Sequence, residues 1–136
     1  MIYLAAPYTH PSLDTRNWRY QRAKAALFEL WENGEPALCP IVQGHEYENH
    51  QRGGARALPH EFWMLIARAQ LVACTKIYVL TLQGWEESKG LEAEITLAHG
   101  LAKPIIGFAP NNHAQDVSGL VIMRAFGLTP HRRRQV

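Results

Sequence analysis

Four short apolar runs limit what this chain can become. "MIYLAA" opens it, "PALCPIV" begins at Pro36, "KIYVLTL" at Lys76 and "KPIIGFAP" at Lys103. Each has the length of a buried strand, and "KIYVLTL" is apolar on both faces, as a central parallel strand is. Helical patterns lie between the runs. Ala23, Ala26, Leu27, Leu30 and Trp31 recur at three- and four-residue steps, which predicts a helix capped by Asp14 or Thr15 and ending near Asn33, with Gly34 as its stop signal. Pro59 opens a second helix with a mixed face of Trp63, Ile66, Ala67, Gln70 and Leu71. A third follows "KIYVLTL" and runs to about Ala102. "AQDVSGLVIMRAFGL" reads as a last helix, with "VIMRAF" competing as a strand. Strands alternating with helices imply an α/β domain with a parallel sheet, and right-handed crossovers place helices on both faces. A length of 136 residues suits one domain, spanning 1–136, with a core of its own.

In such sheets, ligands bind beyond the carboxyl ends of the strands, where the strand order reverses. Two loops stand there, "APYTHPS" after the first strand and "LQGWEESKG" after the third. The second run is expected to end at Pro40. The polar stretch "QGHEYENHQRGGARALP" after it shows no clear period and is expected to be a long loop, a common place for function.

Composition removes several classes. The formal net charge is +2, and the dense basic run is Arg132-Arg133-Arg134 at the end of the chain. That run reads as a solvated tail, so no nucleic-acid polymer is expected as a partner. No stretch approaches the roughly 18 apolar residues of a membrane span, and no secretory leader is visible, so no membrane partner and a cytoplasmic location are expected. Cys39 and Cys74 lie in apolar runs and read as buried free thiols. His45 and His50 are five apart rather than the four of HExxH, and no cysteine assists them, so no metal is expected. Neither GxGxxG nor GxxxxGK[ST] occurs, and "APYTHPS" lacks the Ser/Thr-rich phosphate cradle of flavin-binding relatives of this topology, so no cofactor is expected.

"LQGWEESKGLEAEITLA" carries Glu86, Glu87, Glu92 and Glu94. At ~100° per residue, Leu91, Ile95, Ala98 and Ala102 share one arc of the helix. Glu94 falls at the edge of that arc, Glu92 points away with Thr96 and His99, and Glu86 and Glu87 precede the helix. Ser88 suits an N-cap, and Gly90 leaves the backbone open to close approach. A carboxylate at an apolar face is costly unless it is paired, protonated or functional. Glu94 is therefore either a paired side chain at the edge of the face or a nucleophile or general base at the mouth of the sheet.

"MIYLAAPYTHP" and "GWEESKGLEAEITLAHGLAKPI", with "RNWRY" on the first helix and "CPIVQGH" after the second strand, resemble the nucleoside 2-deoxyribosyltransferase-like superfamily, closest to a bacterial branch of small uncharacterised single-domain proteins. The resemblance runs from Ile2 to about Phe108. It implies a flavodoxin-like three-layer α/β/α fold, a parallel sheet of four to five strands in the order 2-1-3-4-5, and a homo-oligomer. It also implies chemistry on the N-glycosidic bonds of nucleosides or nucleotides. In that family a glutamate followed four residues later by alanine attacks C1′ of the sugar, and the pair here is Glu94 and Ala98. Ser88 and Gly90 match the phosphate or 5′-hydroxyl side of the family pocket, and Tyr3, Ala6, Pro7 and Tyr8 match the loop lining base and sugar. Arg16 and Arg19 match basic positions on the first helix. Gly84 and Trp85, in the loop before Ser88, complete the candidate set.

The family pattern has an aspartate four residues after a tryptophan on the second helix. Here Trp63 is followed by Ala67, and the aspartate common before the third strand is Thr75. His60 or Glu61 are the candidates to supply the missing acid, and His45 is, with His60, a candidate substrate contact. Ala67 also favours a rival reading, a non-catalytic nucleotide-binding module with the same pocket. A purely structural oligomeric protein is the third class, and the placement of Glu94 counts against it.

Overall fold

The computed structural model describes residues 1–52, 56–110 and 114–131. The first strand, β1 (Ile2–Ala5), is buried along its whole length and leads into α1 (Leu13–Glu32). Ser12 caps α1, not Asp14 or Thr15: its side chain accepts from the Thr15 amide, so the expected capping residue is the one served. Gly34 follows the helix with a positive φ of 79°, the left-handed conformation of a helix stop.

The second strand is shorter than its apolar run suggests. β2 is Ala37–Leu38, and Pro40 begins α2 (Pro40–Arg52) rather than ending a strand. Proline has no N–H to lose at a first helical position, and its fixed φ suits that turn. Most of the stretch expected to be a loop is therefore helical. α3 (His60–Ala73) starts after Pro59, as expected, and leads into β3 (Lys76–Leu80). A single 3₁₀ turn at Trp85–Glu87 precedes α4 (Lys89–Gly100), then come β4 (Ile105–Phe108) and α5 (Gly119–Ala125). "VIMRAF" is thus helical up to Ala125. Ala102 lies beyond the end of α4, exposed and with a φ of 55°, and so leaves the buried arc assigned to it.

All pairings in the sheet are parallel, in the order β2-β1-β3-β4. The chain steps from β1 outward to β2, then returns past β1 to β3. With right-handed crossovers, that reversal puts α1 on one face and α3, α4 and α5 on the other, while Ile41 and Val42 of α2 pack on the α1 side. Two core clusters record it. Ile2, Leu4 and Ala6 pack with Ala23, Ala26, Leu27 and Leu30 of α1. Tyr3, Ala5, Ile77 and Val79 pack with Leu71 of α3, Leu91, Ile95 and Ala98 of α4, and Ile122 of α5. The architecture is a three-layer α/β/α sandwich of the flavodoxin-like type. Both cysteines are free and buried, and none of the described helices is long and apolar enough to cross a membrane. The Arg132-Arg133-Arg134 run lies outside the described residues.

Candidate functional site

Parallel strands deliver their following segments to one end of the sheet. A cavity of about 400 Å³ opens there, beside the point where the strand order reverses. The strand β1 and its loop contribute Tyr3, Ala6 and Tyr8, α2 contributes His45 and Glu48, α3 contributes Trp63 and Ala67, and the start of α4 contributes Ser88, Gly90 and Glu94.

Glu94 stands one turn after Leu91 and one turn before Ala98, both fully buried. That spacing turns its side chain toward the sheet. Burial pushes its carboxyl up to about 7, with Tyr3 opposing the rise. Tyr3 belongs to β1 and is itself inaccessible, and its hydroxyl makes no hydrogen bond of good geometry. After burial, Glu94 is the group that most raises the phenol above its usual range. A phenol that keeps its proton beside a carboxylate favours the anion, which moderates the cost of desolvating it. Cys39, directly after β2, has its thiol pushed up to about 12 by burial, with Glu94 contributing. It stays protonated near neutrality and is a poor nucleophile, whereas Glu94 is divided between acid and anion there.

Ser88 caps α4 through a bond from the Leu91 amide to its Oγ (3.2 Å). At Gly90, no atom beyond its chain neighbours and its own helix backbone lies within 4 Å of the place a Cβ would take, so the missing side chain leaves space in the cavity rather than relieving a clash. Glu86, Glu87 and Glu92 are exposed. The opposite wall is α2. His45 is only 3 % exposed, stacks on Tyr20 at 3.8 Å, and lies 2.9 Å through Nδ1 from the Tyr8 hydroxyl. That hydroxyl donates to Glu48 Oε2 at 2.8 Å.

Several residues expected at the site are elsewhere. Pro7 is buried and Glu61 is exposed, and neither lines the cavity, while His60 does. Arg16 donates to the carbonyls of His10 (2.6 Å) and Pro11 (3.3 Å). Arg19, 7 % exposed, donates to the carbonyls of Thr9 (3.1 Å) and Gln83 (3.3 Å), and so ties the loop after β1 to the loop after β3. Both arginines serve the backbone instead of the cavity. Gly84 faces Arg19 in a separate depression shared with His10, Asp14 and Trp18. Trp85 turns into the core, where its Nε1 donates to Gln115 Oε1 at 3.3 Å. The tight 3₁₀ turn is the reason, because it rotates successive residues to different sides.

His45 is an expected contact that the structure does bring to the cavity, but Glu48 was absent from the sequence-based site, and the helix that carries both was expected to be a loop. A signal for that helix existed: Ile41, Gly44, His45 and Glu48 recur at helical steps after a proline. The stretch is too polar to show an apolar stripe, which hid its period. Among the described residues, no group of three or more His, Cys, Asp or Glu side chains is placed to hold a metal ion.

A family model described as "Domain of unknown function (DUF1937)" matches residues 1–109, and the chain belongs to that family. No curated protein matches it. The matched span includes β1 through β4 and every residue of the cavity named above.

Proposed function

We propose that this member of the DUF1937 family is an N-glycosidic-bond enzyme, a nucleoside deoxyribosyltransferase or nucleotide N-hydrolase, with Glu94 as its nucleophile. The observation that carries the reading is a half-buried carboxylate with its pKa raised to about 7, lining a cavity at the reversal point of a parallel sheet. The resemblance of "MIYLAAPYTHP" and "GWEESKGLEAEITLAHGLAKPI" to the nucleoside 2-deoxyribosyltransferase-like superfamily gives that carboxylate its role.

The chemistry follows the two-step logic of retaining glycosidases. A Glu94 oxygen forms a bond to C1′ as the C1′–N bond breaks, and its electron pair leaves with the base, which takes up a proton. Water or a second base then attacks C1′ from the vacated side. The C1′–O bond to Glu94 breaks and the carboxylate is restored. Tyr3, buried beside Glu94, opposes the rise in its pKa and offsets part of the cost of the buried anion. His60 is the sequence-derived candidate for the proton to the base, since it lines the cavity and Glu61 does not. The protein works in the cytoplasm as a homo-oligomer. Phe62, Leu65 and Val72, exposed along one stripe of α3, supply apolar surface for association.

A second reading keeps the pocket without turnover. Ala67 favours it, because it lines the cavity at the position where the resembled family carries an aspartate.

Incubation with a panel of nucleosides and 5′-monophosphates, followed by chromatography for free base, tests both. Base release lost in Glu94→Ala, with a glycosyl adduct on Glu94 by intact-mass spectrometry, supports the enzyme. Binding without release, unchanged in Glu94→Gln, supports the module. If no nucleoside or nucleotide raises the melting temperature at millimolar concentration, both readings fail.

A further inference from the structure

We propose that Glu48, oriented by Tyr8 and His45, reads the base in this cavity and selects a guanine-type edge. The inference rests on the cavity being a nucleoside site.

Proton counting establishes how Glu48 is held. The Tyr8 hydroxyl lies 2.8 Å from Glu48 Oε2 and 2.9 Å from His45 Nδ1. An ionised carboxylate only accepts, so the phenol gives its single proton to Glu48. It must then accept from His45, which fixes that ring with its proton on Nδ1. The ring cannot turn freely, because it is buried and stacked on Tyr20 with an interplanar angle of 15°. Tyr20 in turn donates its hydroxyl to Glu46. A glutamate on α2 is thereby held through a phenol from the loop after β1, 40 residues away in sequence. A merely solvated glutamate has no such support.

The held carboxylate has acceptor positions and no donor. Its two oxygens offer about four lone-pair sites, and Tyr8 uses one. Its complement is a pair of adjacent N–H donors, which form two parallel charge-assisted bonds. Among nucleobases, guanine presents N1–H beside its 2-amino group. Hypoxanthine keeps N1–H and lacks the amino group, and adenine places an acceptor at N1. Trp63, on the neighbouring wall, supplies an aromatic face. Edge-on contacts with Tyr47 (5.6 Å) and Phe62 (5.6 Å) hold its ring.

Calorimetric titration with 2′-deoxyguanosine and 2′-deoxyinosine, which differ only in the 2-amino group, tests this. The full chain is used as wild type, Glu48→Gln and Tyr8→Phe, each also with Glu94→Ala to prevent turnover. One charge-assisted bond corresponds to a preference for deoxyguanosine of roughly tenfold or more in the wild type. Glu48→Gln removes one acceptor oxygen and is expected to abolish the preference. Tyr8→Phe keeps the ring, loses the orienting hydroxyl, and is expected to lower it several-fold. Tyr8→Phe also carries the test if Glu48→Gln fails to give a cooperative melt. Equal affinities in the wild type, or a preference that survives both variants, would overturn the proposal while leaving a nucleoside site intact. Absence of binding by any nucleoside would remove the function proposed above and this inference with it.

Discussion

The Arg19 guanidinium fills the space that a side chain at Gly84 would need: a Cβ built there would sit 2.6 Å from Nη2. Gly84 also has a φ of 86°, a region where L side chains are strained. Two features far apart in sequence thus depend on each other, and together they set the spacing of the loops that frame the cavity. Gly84→Ala is expected to destabilise the protein by about 2 kcal/mol, from the left-handed backbone and the displaced arginine together. Gly90→Ala meets no atom within 4 Å beyond its chain neighbours and its own helix backbone, and is expected to leave stability unchanged or slightly improved while weakening ligand binding. Urea denaturation of both variants checks the contrast, and a Gly84→Ala loss no larger than the roughly 1 kcal/mol of the backbone strain alone would show that Arg19 yields freely.

The raised pKa of Glu94 makes stability depend on pH. Its carboxyl is at about 7 in the fold against 4.5 unperturbed. Below about 4.5 it is protonated in both states and costs nothing. Between about 4.5 and 7 the unfolded chain releases the proton first, so the folded state loses ground as pH rises. Above 7 the full cost, about 3 kcal/mol, is present. Glu94→Gln is therefore expected to be more stable than the wild type at pH 8 by up to that amount, and the difference should vanish near pH 4. A pH series of melting curves decides it, and a gain independent of pH would contradict the burial account.

If Glu94 is the nucleophile of the proposed reaction, the same group is expected to set the acid limb of activity. A carboxylate nucleophile must be ionised, so base release is expected to rise with pH through a midpoint near 7. Tyr3→Phe removes the hydroxyl that favours the anion, so the midpoint should move upward. Steady-state rates from pH 5 to 9 test both shifts. A limb that stays near the ordinary carboxylate range would mean that another group limits the reaction.

Ala67 lines the cavity where the resembled family carries an acid. Ala67→Asp is expected to raise base release at pH 6 by roughly 10²-fold, the lower end for a positioned proton donor. An unchanged rate with unchanged binding would show that protonation of the base is already provided or is not limiting.

A different pair of glycines joins α5 to β4. A Cβ on Gly119 would lie 1.8 Å from the Ile105 carbonyl, and one on Gly107 would lie 1.8 Å from the Val117 carbonyl. Both obstacles are backbone, which cannot rotate away as a side chain can. Each alanine variant is expected to cost about 3 kcal/mol, at the upper end for overpacking. Guanidinium unfolding is the check, and losses under 1 kcal/mol would mean that α5 can shift on the sheet.

The sequence by itself determined the sheet. Its four strands, the caps at Ser88 and Pro59, the end of α1 at Gly34 and the placement of Glu94 were all legible, because each depends on local patterning or the helical period. It misplaced features set by contacts across the chain. Arg19 looked like a substrate contact, but its donors meet carbonyls of loops at residues 9 and 83, and no local pattern encodes that meeting. α2 was hidden because a polar helix shows no apolar stripe, so Glu48 escaped notice until Tyr8 and His45 were seen to hold it. Side-chain periodicity reports which face of an element is buried. Only the packing of elements against one another decides which polar groups meet inside the cavity and which are spent on backbone.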